Sequence, residues 1–191
     1  MNRIFASFAI ALALFVPGQI LAQDCSFQTK KEDIQIEWTA FKEPTKVGVA
    51  GTFKELGLEK ELLSSNSIAG IFEGVKFAIP TSTVFTKDSG RDAKIAQFFF
   101  RNVKEIKGSV LESGESSMVV GIEMNGVKKE VPLTVVATES SLEATGYIDV
   151  LDFSMNKHLA ALNKACYELH KGKTWSDVGL KLTAKISKVC K

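Results

Sequence analysis

Apolar and polar residues alternate with a period of two in eight separate stretches of this chain. That pattern fits a strand with one buried face and does not fit a helix. The clearest is Ile34-Gln35-Ile36-Glu37-Trp38-Thr39-Ala40. The others run through Val47, Val49, Gly51 and Phe53; Ile71, Val75, Phe77 and Ile79; Ile106, Gly108 and Val110; Met118 to Met124; Val131, Leu133, Val135 and Ala137; Leu142 to Val150; and Val178 to Ile186. Several are joined by short turns. Asn125-Gly126 carries the signature of a type I′ hairpin, and Ser113-Gly114-Glu115 and Glu139-Ser140-Ser141 are the other tight connections. Short connections make neighbouring strands antiparallel. Eight strands with one apolar face each bury it by pairing two sheets or by curling one sheet into a barrel.

Two segments break the alternation. Ser89 to Arg101 opens with Asp88 and Ser89, carries Asp92 in its first turn where the helix dipole favours a carboxylate, and spaces Ile95, Phe98 and Phe99 as i, i+3, i+4. Phe100 falls on the opposite side of such a helix. Asn156 to His170 is the second, with Leu159, Leu162, Cys166 and Leu169 along one face and Gly172 past its end. The expectation is a mainly β, eight-stranded antiparallel barrel with two short helices, the first of them a lid at the barrel's mouth.

The amino terminus reads as a secretory signal peptide: Arg3, an apolar run from Ile4 to Val16, the Pro17-Gly18 break and the small residue Ala22. The run is too short to span a bilayer, which takes about 20 apolar residues, and no later segment is long and apolar enough. A signal peptide over 1–22 and a single exported domain over 23–191 are expected. Among the charged residues the leader holds only Arg3, so 24 basic and 22 acidic side chains come close to parity in the mature chain. Nothing in that balance selects nucleic acid. An oxidising compartment permits one disulfide among Cys25, Cys166 and Cys190. Closure of a barrel brings the start of the first strand beside the end of an antiparallel last strand. That favours Cys25 with Cys190, and Cys166 with either of them is the rival.

The interior of an eight-stranded barrel either fills with its own side chains or holds one elongated ligand. Here the inward phase mixes Gly51, Gly108, Gly146, Ala40, Ala137, Ala144 and Ala184 with Trp38, Phe53 and Phe77. Small residues facing one another leave room for an apolar tunnel; alternatively they accommodate barrel taper around packed aromatics. An outer-membrane barrel is excluded by its phase. Such a barrel is apolar outside, whereas the last strand turns Lys181, Thr183 and Lys185 outward.

Catalytic constellations are absent from the sequence. His158 and His170 fall on or near the second helix, Asp149 and Asp152 read as turn and capping residues before Phe153, and no nucleophile elbow, metal-binding helix motif or phosphate loop occurs. The expectation is a non-enzymatic protein with no metal and no required cofactor.

Four stretches in order carry a resemblance: Val49-x-Gly51-Thr52-Phe53 after Trp38; Gly90-Arg91-Asp92 leading to Phe98-Phe99; Asn125-Gly126-Val127-Lys128-Lys129 with Val131-Pro132-Leu133; and Thr174-Trp175-x-Asp177-Val178. Together they resemble the YceI-like family over nearly the whole mature chain. The resemblance implies a lipocalin-like periplasmic barrel whose tunnel holds a polyisoprenoid or another long amphiphile such as a quinone tail or fatty amide, and it implies no catalysis. It places the Arg-Asp pair near one opening. Two departures stand out: Ile95-Ala96-Gln97 lacks the acidic residue that often precedes the aromatic pair, and Met124-Asn125-Gly126 replaces hydroxyl residues at the hairpin.

The inward phase and the resemblance together select a ligand set of Trp38, Phe53, Val75, Phe77, Ile79, Ile95, Phe98, Phe99, Val135, Ile148, Phe153 and Trp175. Arg91, Asp92 and Glu73 are the polar candidates for orienting a head group. The partner is then a small hydrophobic ligand, and a homodimer stays open. The different-class alternative is a secreted interaction or stress factor whose barrel is packed solid.

Overall fold

The protein is described by a computed structural model over residues 24–190; the signal-peptide reading falls outside these residues. Strand β1 is Cys25–Lys30, β2 Ile34–Lys42, β3 Val47–Phe53, β4 Gly57–Leu58, β5 Leu62–Ser65, β6 Lys76–Pro80 and β7 Val84–Phe85. After helix α1, Ser89–Lys94, follow β8 Glu105–Ser113, β9 Ser117–Met124, β10 Val127–Thr138 and β11 Ser141–Asp149. Helix α2, Asn156–Ala165, precedes β12 Thr174–Lys185 and β13 Ser187–Cys190.

All pairings are antiparallel, and ten of these strands form one curled sheet in the order β4-β6-β8-β9-β10-β11-β12-β2-β3-β7. Its two ends are not free edges. Strand β3 pairs with β7 through Thr52↔Phe85 and Phe53↔Val84, while β4, just downstream of β3, pairs with β6 through Gly57↔Ala78 and Leu58↔Phe77. The segments 47–58 and 76–85 are thus two interrupted long strands running side by side, and their pairing closes a lipocalin-like ring of eight. The sequence expectation of eight strands describes this ring. The higher strand number comes from these interruptions and from a second, small sheet.

That second sheet has the order β13-β1-β5. Cys25 faces Cys190 in the β1–β13 ladder and the two form a disulfide. The pairing agrees with the favoured expectation, but its setting differs: the bond staples β1 to β13 in this flanking sheet and lies outside the barrel seam. Cys166 is a buried free thiol.

The hairpin at Asn125-Gly126 has φ of 53° and 75° at its two central residues, the left-handed pair that a type I′ turn requires. Asn125 also donates its side-chain amide to the Phe153 and Ser154 carbonyls, tying the turn to the segment that leads into α2. Three elements are shorter than the alternation suggests. Ile71 sits in a 3-10 turn ahead of β6, Val150 opens the 3-10 turn Val150–Phe153, and α2 stops at Ala165 before a separate turn, Glu168–His170. Ala137, expected inside, is exposed near the end of β10.

Helix α1 continues into a π-type turn, Ile95–Phe99, in which the Phe100 amide donates to the Ile95 carbonyl at 2.9 Å. A five-residue hydrogen bond widens the turn and brings Phe100 round toward the face that holds Ile95. Phe100 is therefore buried, packing on Phe53 at 6.1 Å and edge-on to Phe99 at 5.0 Å between ring centroids. This corrects the regular-helix expectation, which turned Phe100 away from the interior.

Candidate functional site: an apolar tunnel under a helical lid

Two apolar cavities of about 130 Å³ each occupy the barrel. An apolar cavity of about 150 Å³ accommodates a benzene ring, so each has room for part of a hydrocarbon chain. They share Trp38, Phe53, Ile106, Met124, Ile148 and Leu180 in their walls, so they are neighbours with these residues between them. The inner cavity is bounded further by Leu56, Leu58, Val75, Phe77 and Ile79, and Lys181, which also borders it, turns its ammonium to Glu143 at 2.8 Å on the outer surface. The outer cavity is bounded by Ile95, Phe99, Phe100, Leu159, Leu162 and Trp175, with Thr174 as its one hydroxyl. Walls of this kind favour hydrocarbon, and Trp38, which stands in both, carries a buried indole N–H without a hydrogen-bond partner.

The inward glycines do not leave empty space where they stand. A Cβ on Gly51 would lie 2.2 Å from Trp38 Cζ2, one on Gly108 2.4 Å from Phe77 Cζ, and one on Gly146 2.5 Å from Leu133 Cδ2. Each glycine lets a large side chain lie flat across a neighbouring strand, and the cavities are what remains between these rings.

The lid is held at three points. Asp88 caps α1 by accepting from the Arg91 amide at 2.9 Å, and this bond is the main reason its carboxyl titrates below the usual range. Asp92 Oδ1 accepts from the Thr86 amide at 2.8 Å and from its hydroxyl at 2.6 Å, anchoring the helix to the end of β7. His158 on α2 donates Nδ1–H to the Phe99 carbonyl at 2.9 Å; a carbonyl can only accept, which fixes that tautomer.

Outside the lid a groove of about 330 Å³ opens from the outer cavity, with which it shares Trp38, Ala40, Ile95, Leu162 and Thr174. Its polar wall brings together Lys42, Asp88, Arg91, Lys94 and His170, with Cys166 beside them. His170 is bonded to Thr174 Oγ1 at 2.6 Å, and that hydroxyl donates its only proton to Asn163 Oδ1 at 2.9 Å. His170 must therefore donate from Nδ1. Burial, reinforced by the charges of Lys42, Lys94 and Arg91, lowers the pKa of His170 below 6.5. At the rim Glu43 accepts from Lys171, and this bond chiefly draws its carboxyl below the ordinary value.

Of the residues picked from sequence, Trp38, Phe53, Val75, Phe77, Ile79, Ile95, Phe99, Ile148 and Trp175 stand in the cavity walls. Arg91 stands in the groove. Four others stand elsewhere: Val135 and Phe153 are buried in the surrounding core, Phe98 is half-buried beside the lid, and Asp92 is turned to Thr86. Glu73 is exposed in the turn before β6. Trp175 is oriented by its indole N–H, which donates to the Glu43 carbonyl at 2.8 Å. Ile106, Met124 and Leu180 were missed, although they share the inward phase of their strands. Among the described residues, no group of three His, Cys, Asp or Glu is placed to hold a metal ion, and no helix is long and apolar enough to cross a membrane.

A ring of eight antiparallel strands around apolar cavities, covered at one end by short helices, defines a lipocalin-like barrel protein. The YceI-like domain matches residues 26–185, and the chain belongs to the YceI-like family. No curated protein sequence matches it. Among solved structures, a polyisoprenoid-binding domain from Saccharophagus degradans implicated in plant cell wall breakdown is similar at 12% identity and TM-score 0.56, covering 87% of this chain and 99% of that one. BcnA of Burkholderia cenocepacia is similar at 10% identity and TM-score 0.53, covering 83% and 99%. A Campylobacter jejuni YceI protein is similar at 15% identity and TM-score 0.51, covering 76% and 86%. At these identities the likeness is one of fold.

Proposed function

We propose that this protein is a non-catalytic carrier or scavenger that holds one polyisoprenoid or comparable long-chain amphiphile, with its tail in the barrel and its head at the groove. The observation that carries this reading is the pair of neighbouring cavities that share Trp38, Phe53 and Leu180, with mostly apolar walls. Binding a chain there needs no cofactor. At ~25 cal/mol per Å² of apolar surface removed from water, a tail losing several hundred Å² gains a gross ~10 kcal/mol, from which its ordering cost is subtracted. Few polar contacts are then required, and Lys42, Arg91 and Lys94 stand where a head group emerges.

The similar domain from Saccharophagus degradans is described as polyisoprenoid-binding, which supports the same ligand class here. The leader sequence and the Cys25–Cys190 disulfide support export to the periplasm with cleavage after Ala22, leaving one domain over 23–191. The test is native mass spectrometry of the gently purified protein, followed by titration with a prenyl chain and a fatty amide. A co-purified hydrophobic mass, or uptake of either probe, is expected. A protein that emerges at its sequence mass and takes up neither probe refutes the reading.

A further inference from the structure

We propose that the loop between α2 and β12 docks the tunnel mouth onto an anionic phospholipid bilayer. The inference rests on the carrier reading, because a long apolar chain is nearly insoluble and its transfer favours direct contact between the opening and a membrane. Two large side chains of this loop are largely open to solvent: Tyr167, whose ring lies over Gly172, is 58% exposed, and Leu169, at the edge of the groove, is 60% exposed. Single exposed apolar residues are ordinary on a protein surface. These two differ in their company.

The Lys42 ammonium donates to the Leu169 carbonyl at 3.4 Å, and Leu169, Lys42, Arg91 and Lys94 all border the groove that leads into the tunnel. Within the loop, Lys171 pairs with Glu43, and Lys173 lies 4.5 Å from the centre of the Trp175 ring. Lys42 and Lys171 both pair with Glu43 and Arg91 pairs with Asp88, while Lys94 and Lys173 make no ion pair among the described residues; five basic side chains thus stand with the four acids Glu43, Asp88, Asp92 and Glu168. Of those acids, Asp92 is turned inward to Thr86. A tyrosine and a leucine on one short loop with long basic side chains nearby match the composition of a membrane-interface surface: the ring and Leu enter the headgroup boundary while the ammonium groups stay at its anionic face.

The loop is also built in advance. Gly172 N–H donates to the Tyr167 carbonyl and His170 N–H to that of Cys166, both at 2.9 Å, while Asn163 holds the Gly172 carbonyl at 3.2 Å. Lys171 and Gly172 take left-handed φ of 47° and 79°. A preformed tip pays little ordering cost when it binds.

The experiment is flotation of the purified, processed protein with vesicles of phosphatidylcholine alone and of phosphatidylcholine with an equimolar share of phosphatidylglycerol, at low and high salt. Retention on the mixed vesicles, weakened by salt and several-fold above the neutral ones, is expected. Tyr167→Ser and Leu169→Ser should each reduce it, and Lys173→Gln should lower partitioning roughly fivefold, the weight of one lysine near such a surface. Thermal melting checks that each variant folds.

Tyr167 borders none of the cavities, so Tyr167→Ser should leave uptake of a water-dispersed fluorescent prenyl probe unchanged. The two ideas fail separately: loss of probe uptake by the unaltered protein removes the carrier reading, whereas absent vesicle retention with uptake intact removes the docking surface. Retention that ignores lipid charge, or that survives all three substitutions, also overturns it. So does a patch whose substitution changes only the oligomeric mass.

Discussion

Gly51 lies directly across the β2–β3 ladder from Trp38, and the edge of the indole occupies the space that a side chain on Gly51 would need. Gly51→Ala must displace the ring that forms part of both cavity walls. Overpacking of this kind costs about 1–3 kcal/mol, so the variant should melt at a lower temperature. Its affinity for a prenyl probe should fall as well, because the displaced indole enters the junction of the cavities. A thermal scan and a probe titration read the two effects. A variant with unchanged melting and unchanged affinity would refute this account of the glycine.

The π-type turn predicts an inversion of the order expected from regular helical spacing. Phe100 is buried against Phe53, whereas Phe98 is only half-buried and borders neither cavity. Phe100→Ala should cost about 3–5 kcal/mol, as is usual for a buried phenylalanine, and Phe98→Ala clearly less. Denaturant midpoints of the two variants decide it; equal losses would put Phe98 in the interior after all.

The disulfide closes nearly the whole chain, with a sequence separation of 165 residues, so on the chain-entropy model it removes much freedom from the unfolded state. Cys25→Ser together with Cys190→Ser should lower stability by about 3–5 kcal/mol. The bond joins the flanking sheet and not the barrel ring. At a temperature where the variant stays folded, its uptake of a prenyl probe should therefore match that of the parent. Loss of uptake by a folded variant would show that the flanking sheet shapes the tunnel.

His170 supplies a pH dependence. Its pKa is lowered in the folded state, first by burial and then by Lys42, Lys94 and Arg91. As pH falls through the ordinary histidine value of about 6.5, the unfolded chain takes up this proton before the native one does. Stability is then present in full above that value and drains away below it. Glu43 and Asp88, whose pKa values are also lowered, act in the same direction but only below their ordinary 4.5 and 3.8. Denaturation between pH 7.5 and pH 5 should show a decline that His170→Asn reduces. A slope unchanged by the substitution would assign the decline to other groups.

The ring of eight strands was legible because every long strand has one face in water and one in the core, so burial writes itself into the chain as a period of two. The same phase located most of the tunnel wall, from Trp38 to Ile148. What escaped had no periodic trace. Strands β1, β5 and β13 are short and mix polar with apolar residues, and they form a sheet through β1, which pairs with β13 on one side, where the disulfide crosses, and with β5 on the other. The turn at Ile95–Phe99 depends on which carbonyl the Phe100 amide chooses, which its residue types do not announce. The groove assembles Lys42 from β2, Arg91 and Lys94 from α1, and His170 from the loop before β12. No local pattern joins positions so far apart in sequence. The sequence left the inward glycines open between vacant space and room for packed aromatics, and each admits a ring or leucine from a neighbouring strand.

Leu180 tests whether the cavities work as one tunnel. It stands in both walls, at their junction with Trp38 and Ile148, so Leu180→Trp adds bulk where a chain would pass from the outer cavity to the inner one. Each buried methylene contributes about 0.8 kcal/mol. A long prenyl chain confined to the outer cavity therefore loses the contribution of every carbon beyond the block, while a chain short enough to end before it loses little. The expected result for the variant is a gain of affinity with chain length that stops early, where the parent protein continues to gain. A stability measurement guards against a collapsed barrel. Affinities that rise in parallel for both proteins across the whole series would mean that the two cavities are not occupied by one continuous chain.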